Sequence, residues 1–163
     1  MRLRNLRVTI SLVSLALIAS AGNCAVDPPG APRFPPKPVA GTWVGEVIGV
    51  RFRLSITEGA VDNYLNATYL EGAGWLIYGT PAESLAVTLT GGNVGGSTPG
   101  VGFELQRPGG SGGVYGNYDA VLGADGALLG PFKREPGLEP SPSPWTDVWP
   151  AGASAVSLRL VRQ

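Results

Sequence analysis

From residue 40 onward, the chain consists of short segments in which apolar and polar residues alternate. The clearest begins at Val50, where Val50, Phe52, Leu54 and Ile56 alternate with arginine, serine and threonine. Strict alternation places one face of a segment in a core and the other in water, as in an antiparallel sheet. Glycine, proline and asparagine separate the segments, as they do between strands. The pattern predicts strands at about 41–49, 50–58, 63–70, 74–79, 84–90, 100–107, 113–121, 127–132 and 153–162.

This succession of strands predicts an all-β domain. Strands of this number and length form either an antiparallel up-and-down meander that closes as a small barrel of eight or nine strands, or a β-sandwich. We favour the barrel, because closure leaves no unpaired strand edge. The polar faces carry arginine, glutamate, threonine and asparagine, unlike a lipid-facing wall, so we predict a soluble barrel. Ala124-Asp125-Gly126 is typical of a hairpin turn between two strands.

The predicted inward faces are rich in aromatic residues. An eight-stranded barrel is just wide enough for its own side chains to fill, or for one small ligand. The sequence leaves a filled barrel and an open cup as alternatives. Five aromatic side chains share the inward parity on this assignment: Trp43, Phe52, Trp75, Phe103 and Tyr118.

Three stretches interrupt the alternation. Residues 91–100 and 108–113 are rich in glycine and are predicted loops. Residues 131–150 hold six prolines together with Trp145 and Trp149, and a connection of this length is usually a lid, an interaction loop or disordered. Because tryptophans bury much apolar area, we expect this loop to pack on the flank of the barrel. A ligand mouth or partner surface, and a mobile loop, are the alternatives.

The N-terminal residues have the pattern of an export signal. Three arginines precede an apolar run from Val8 to Ala19 that is too short to span a bilayer, and small residues follow it. The only cysteine of the chain, Cys24, comes next. This arrangement resembles the lipobox of bacterial lipoproteins, with Asn23 where that pattern has a small residue. The resemblance implies that residues 1–23 are a signal peptide and that Cys24 carries a diacylglycerol anchor in a membrane of the cell envelope.

A competing interpretation and the following segment bear on location. Cleavage after Ala19-Ser20-Ala21 would instead give a soluble periplasmic or secreted protein with a free thiol. Residues 24–39 contain six prolines and are predicted to be an extended, semi-rigid tether to a single domain at 40–163. Removing residues 1–23 takes three of twelve basic residues and leaves nine against twelve acidic ones, a net charge of −3. Nucleic acid and anionic membrane surfaces are therefore not expected electrostatic partners.

Both ends of the domain carry a further pattern. Gly41-Thr42-Trp43 opens the first strand, and Arg162 lies on the last strand with the inward parity of Leu158 and Leu160. A Gly-x-Trp on the first strand with a basic residue on the last resembles the calycins, the lipocalin and avidin-like barrels. The resemblance implies that Arg162 lies across Trp43 at a closed end of the barrel. Arg159 has the opposite parity and is a less suitable candidate.

The same resemblance implies an apolar cup. Its mouth is expected opposite the Trp43 end, with Tyr64, Tyr78 or Asn117 as polar rim groups. Because the inward positions offer no charge, the expected ligand is a small apolar molecule. The lining would come from Leu54, Ile56, Leu85, Val87, Phe103 and Leu158.

Catalytic chemistry has few candidates in this chain. It has no histidine and one cysteine, and its carboxylates are scattered singly, as solvated surface groups are. We therefore predict no enzyme activity, no metal and no cofactor. The first hypothesis is an envelope lipoprotein whose barrel binds a small apolar ligand, and the second is a structural or interaction module with a filled barrel. A histidine-free hydrolase is the third hypothesis. The carboxylates considered are Glu46, Glu58, Asp62, Glu71, Glu83, Glu104, Asp119 and Asp125.

Overall fold

A computed structural model of the chain describes residues 36–62, 64–95, 99–109 and 113–163. The predicted signal peptide, Cys24 and the tether up to residue 35 lie outside the described residues. In the described part of the chain there is no helix with the length and apolar character needed to cross a bilayer.

Eight antiparallel strands form the domain, and each pairs with the next along the chain. β1 also pairs with β8, so the sheet closes into an up-and-down barrel. This arrangement confirms the predicted all-β class and the barrel, and it excludes the β-sandwich. The strands are β1 (Gly41–Val47), β2 (Val50–Asp62), β3 (Ala67–Tyr78), β4 (Glu83–Val94), β5 (Gly100–Gln106), β6 (Val114–Leu122), β7 (Leu128–Lys133) and β8 (Val156–Arg162).

Alternation decides which face of each strand is buried. In β2, the four apolar residues from Val50 to Ile56 are buried, and the polar residues between them are exposed, as predicted. Burial of a side chain of this size contributes roughly 1.5–3 kcal/mol. The predicted turn at Ala124-Asp125-Gly126 joins β6 to β7, with Gly126 in the left-handed region at φ 77°.

The third and fourth predicted strands are in fact one strand, β3. Gly72 and Gly74 interrupt its apolar pattern, yet they continue the inward parity of Leu70 and Leu76. A Cβ at Gly74 would lie 2.2 Å from the carbonyl oxygen of Arg53, so glycine lets β2 approach closely here. Because β3 is continuous, Trp75 faces outward and is 48% exposed, and its predicted inward position is wrong.

Two predicted loops have different bounds in the structure. β4 continues to Val94, so the glycine-rich loop predicted at 91–100 is wrong for its first four residues. β7 includes Pro131 and ends at Lys133, and the long connection therefore spans residues 134–155 rather than 131–150. Both differences arise because strand pairing with neighbours outweighs the local preference of glycine and proline for loops.

The core runs through the barrel from end to end. Buried apolar side chains from all eight strands form one cluster, which also includes Val39 before β1 and Trp145 from the β7–β8 loop, residues 134–155. Two tryptophans mark the ends of the barrel. The Trp43 end is where β1 begins and β8 ends, and the Trp145 end is where β7 ends and β8 begins.

Candidate functional site

The Trp43 end brings together the two residues predicted to close the barrel. Trp43 is fully buried and pairs in register with Arg162 between β1 and β8. The guanidinium carbon of Arg162 lies 4.9 Å from the centre of the Trp43 ring, within the range of a cation–π contact. Arg159, on the other face of β8, lies 2.8 Å from Asp125 in an exposed ion pair. Parity along β8 therefore distinguishes the two arginines.

The same two side chains bind the main chain that precedes β1. The indole N–H of Trp43 donates a hydrogen bond to the carbonyl of Val39 over 2.7 Å. The guanidinium of Arg162 donates to the carbonyl of Pro38, also over 2.7 Å. The contact between indole and guanidinium thus fixes two consecutive carbonyls of the incoming chain.

Two further side chains complete this binding from the other side. The amide of Asn93 donates to the carbonyl of Lys37 over 2.7 Å and to the carboxylate of Glu58 over 3.1 Å. The same Glu58 oxygen accepts a hydrogen bond of 2.9 Å from the backbone amide of Val39. Residues 37–39 are therefore held by four side chains from β1, β2, β4 and β8. We call these four side chains the clamp: Trp43, Glu58, Asn93 and Arg162.

Half of the clamp escapes sequence reasoning. Glu58 is one of the carboxylates expected to be solvated, but it is half-buried and accepts two hydrogen bonds. Asn93 is buried on the inward parity of β4, and a polar residue at such a position was the available signal. The predicted tether ends at residue 39, whereas the structure makes residues 37–39 part of the barrel end.

The β7–β8 loop closes the opposite end of the barrel. Trp145 is fully buried, and the centre of its ring lies 6.0 Å from that of Phe52 and 5.1 Å from that of Phe132. Its indole N–H donates to the carbonyl of Tyr115 over 2.8 Å. The loop therefore covers the expected mouth of the cup, and the prediction that it packs on the flank is wrong. The ring packs here because the buried residues at this end of the barrel are apolar.

The three predicted rim groups do not share one place. Asn117 donates to the carboxylate of Glu135 over 2.7 Å, and this contact holds the β7–β8 loop to the wall of the barrel. Tyr78, near the Trp145 end, donates to Glu83 over 3.1 Å. Tyr64 lies between β2 and β3, at the Trp43 end, because β3 begins there. Its predicted place on the opposite rim is wrong.

The six predicted lining residues lie inside the barrel. Five of them are buried, and Leu85 is half-buried and packs against the same cluster. The ring of Phe103 lies 5.2 Å from the ring of Tyr118 between their centres. The hydroxyl of Tyr118 donates to the carbonyls of Leu128 and Leu158, at 2.9 and 3.0 Å, and burial raises its pKa far above the ordinary value. The predicted lining residues therefore belong to the apolar core cluster of the barrel.

Other surfaces of the barrel offer less defined chemistry. A shallow groove of about 620 Å³ crosses the outer wall over β4 to β7, with main chain at Gly92 and Gly102 and the half-exposed Val121 and Leu129 along it. None of the six predicted lining residues lines this groove.

Within the described ranges, no three cysteine, aspartate or glutamate side chains come together as a metal site would need.

Comparison of the chain with protein-family models finds no matching family, and comparisons with curated proteins and with solved structures find no significant match.

Proposed function

We propose that this chain is a non-enzymatic lipoprotein of the bacterial cell envelope, anchored through Cys24, whose filled barrel is a structural or interaction module. The observation that carries the proposal is the clamp. Four side chains from four strands hold three consecutive residues at the point where the tether meets the barrel. Such a connection fixes the direction in which the chain enters the barrel, and an attached tether would use this direction to orient the barrel.

The tether is short enough for this direction to matter. Pro36 is the twelfth residue after Cys24, and an extended proline-rich segment rises about 3.1 Å per residue, a reach of about 37 Å. An anchor at Cys24 would therefore keep the Trp43 end toward the membrane. The outer wall and the Trp145 end would face away from it and be accessible to other envelope components.

The packing of the interior supports the module rather than a carrier of apolar ligands. Phe52, Phe132 and Trp145 contact one another at one end, and Phe103 and Tyr118 contact each other in the middle. A ligand in the barrel would have to displace the Trp145 ring, and with it the β7–β8 loop. Truncation of a fully buried tryptophan to alanine costs about 3–5 kcal/mol, which indicates the size of the contacts that a ligand would have to replace.

The anchor is tested by replacing its cysteine. We expect wild type to be in the membrane fraction and to incorporate a clickable palmitate, and Cys24→Ser to lose both properties. Asn23→Gly, which restores the small residue of the lipobox, is the matched control and should be labelled at least as well as wild type. A wild-type protein that is soluble and unlabelled would instead support cleavage after Ala21.

The filled interior is tested by creating a cavity at Trp145. Trp145→Ala should lower the free energy of unfolding by about 3–5 kcal/mol, and added indole should raise its melting temperature by occupying the space. Indole should not stabilise wild type or Trp75→Ala, in which the lost ring is half-exposed on the wall. Saturable binding of an apolar dye to folded wild type would favour the ligand-carrier hypothesis instead.

A further inference from the structure

The hairpin between β2 and β3 extends beyond Gly41, the first residue of β1, and exposes apolar side chains. β1 pairs with β2 only as far as Ile56, and β2 continues for six more residues to Asp62. Tyr64 is 84% exposed and Leu65 54% exposed, and Val61 and Tyr69 beside them are about half-exposed. We call residues 59–62 and 64–69 the tip.

The tip has a defined backbone conformation that keeps these side chains outward. The carboxylate of Asp62 accepts hydrogen bonds from the backbone amides of Tyr64 and Leu65, at 2.8 and 3.0 Å. Asn66 adopts the left-handed region at φ 51°, and its carbonyl accepts from the amide of Gly95 over 2.9 Å. The chain therefore orders a turn whose exposed side chains are a tyrosine and a leucine.

The tip lies beside the point where the tether joins the barrel. Glu58, the clamp residue that binds the amide of Val39, immediately precedes the tip in β2. Tyr69 pairs with Gly92, the neighbour of the clamp residue Asn93 in β4. The clamp and the tip therefore share one end of the barrel, since Glu58 lies on β2 and Asn93 lies on β4, which pairs with β3.

We propose that the tip inserts its exposed side chains into the surface of the membrane that holds the Cys24 anchor. This inference rests on the proposed lipid anchor, which limits the distance between the Trp43 end and the lipid headgroups to about 37 Å. Tyrosine and leucine suit this occupant, because tyrosine concentrates at the boundary between headgroups and acyl chains while aliphatic side chains enter the acyl region. The two contacts, anchor and tip, orient the barrel on the bilayer.

Charge indicates the kind of membrane contact. The chain without residues 1–23 has a net charge of −3, and Asp62 adds a carboxylate to the tip itself. Electrostatic attraction to anionic lipids is therefore absent, and the contact rests on apolar burial. It should persist on vesicles of phosphatidylcholine alone and should change little when salt is added.

The experiment places a tryptophan in the tip and measures its depth. Lipoprotein purified from membranes, with acylation of Cys24 checked by mass spectrometry, is reconstituted in vesicles of brominated or ordinary phosphatidylcholine. Leu65→Trp adds a fifth tryptophan to the four of the chain. Leu138→Trp is the matched control, because Leu138 is 59% exposed and lies on the β7–β8 loop at the opposite end. Bromine quenches only tryptophans that reach the acyl chains.

In brominated vesicles, we expect Leu65→Trp to lose more fluorescence than wild type, by the share that one tryptophan contributes to the emission. Leu138→Trp should lose no more fluorescence than wild type. Tyr64→Trp, an aromatic-for-aromatic change, gives a second probe in case Leu65→Trp misfolds. Equal quenching at both ends of an acylated protein overturns the proposal for the tip and leaves the anchor intact. A protein without an acyl group at Cys24 overturns the anchor and, with it, this inference.

Discussion

The contact between Trp43 and Arg162 predicts a specific coupling in a double-mutant cycle. Trp43→Ala removes a fully buried indole together with its hydrogen bond to Val39, and we expect it to lower the free energy of unfolding by about 3–5 kcal/mol. Arg162→Ala removes an exposed guanidinium that stacks on that indole and binds Pro38, and we expect a loss of about 1 kcal/mol.

The two losses should not add. Once the indole is gone, the guanidinium has no ring to stack on, so the double variant should be more stable than the sum predicts by about 0.5–1 kcal/mol. Urea unfolding followed by far-ultraviolet circular dichroism measures all four free energies without depending on the fluorescence of Trp43. The matched control pairs Trp43→Ala with Arg159→Ala, on the opposite face of β8, and this pair should be additive.

Additivity of the Trp43 and Arg162 losses to within about 0.3 kcal/mol would refute the coupling. In that case the 4.9 Å approach of the two groups would carry no energy, and the clamp would be a set of independent hydrogen bonds.

Two further predictions concern the interior of the barrel. Burial raises the pKa of Tyr118, so the folded protein holds the hydroxyl proton more tightly than the unfolded chain does. The stabilisation that this proton contributes is fully present below pH 10.0, the ordinary pKa of the unfolded chain, and is lost as the pH rises above that value. Urea midpoints should therefore fall less steeply above pH 10 in Tyr118→Phe than in wild type, and equal slopes would contradict the assignment. Gly74→Ala should lower the free energy of unfolding by about 1–3 kcal/mol in the same assay, because the added Cβ would meet the carbonyl of Arg53. Gly59→Ala is the control: its Cβ would have no neighbour closer than 3.7 Å, and the free energy of unfolding should change by less than about 0.5 kcal/mol. Similar losses at the two glycines would show that close approach of β2 is not the reason for Gly74.

The barrel could be predicted from the sequence wherever alternation is strict. β2 is the best case, since its buried and exposed residues follow the period of two without exception from Val50 to Thr57. Prediction failed at Gly72 and Gly74, where the strand continues without side chains and the parity of Trp75 was lost. From the local pattern, a glycine in a strand predicts a break in that strand. Only the structure shows that the missing side chain lets the neighbouring strand approach closely.

The two barrel ends differ in how far the sequence could predict them. Trp43 and Arg162 could be matched because strand order and parity bring the first and last strands together in any closed meander. The place of Trp145 could not be predicted, because the loop around it has no period and its position depends on rings from β2 and β7. Glu58 and Asn93 are 35 residues apart and meet through a segment that local patterns describe only as proline-rich.

The clamp also determines how the barrel carries mechanical load. A pull on the tether reaches Lys37, Pro38 and Val39 before it reaches β1, and their hydrogen bonds lead to β2, β4 and β8 as well as to β1. The force is thus divided among four strands instead of peeling β1 away from its two neighbours one bond at a time. Separating the first strand through a load on residues 37–39 would require several of these bonds to break together before the sheet opens.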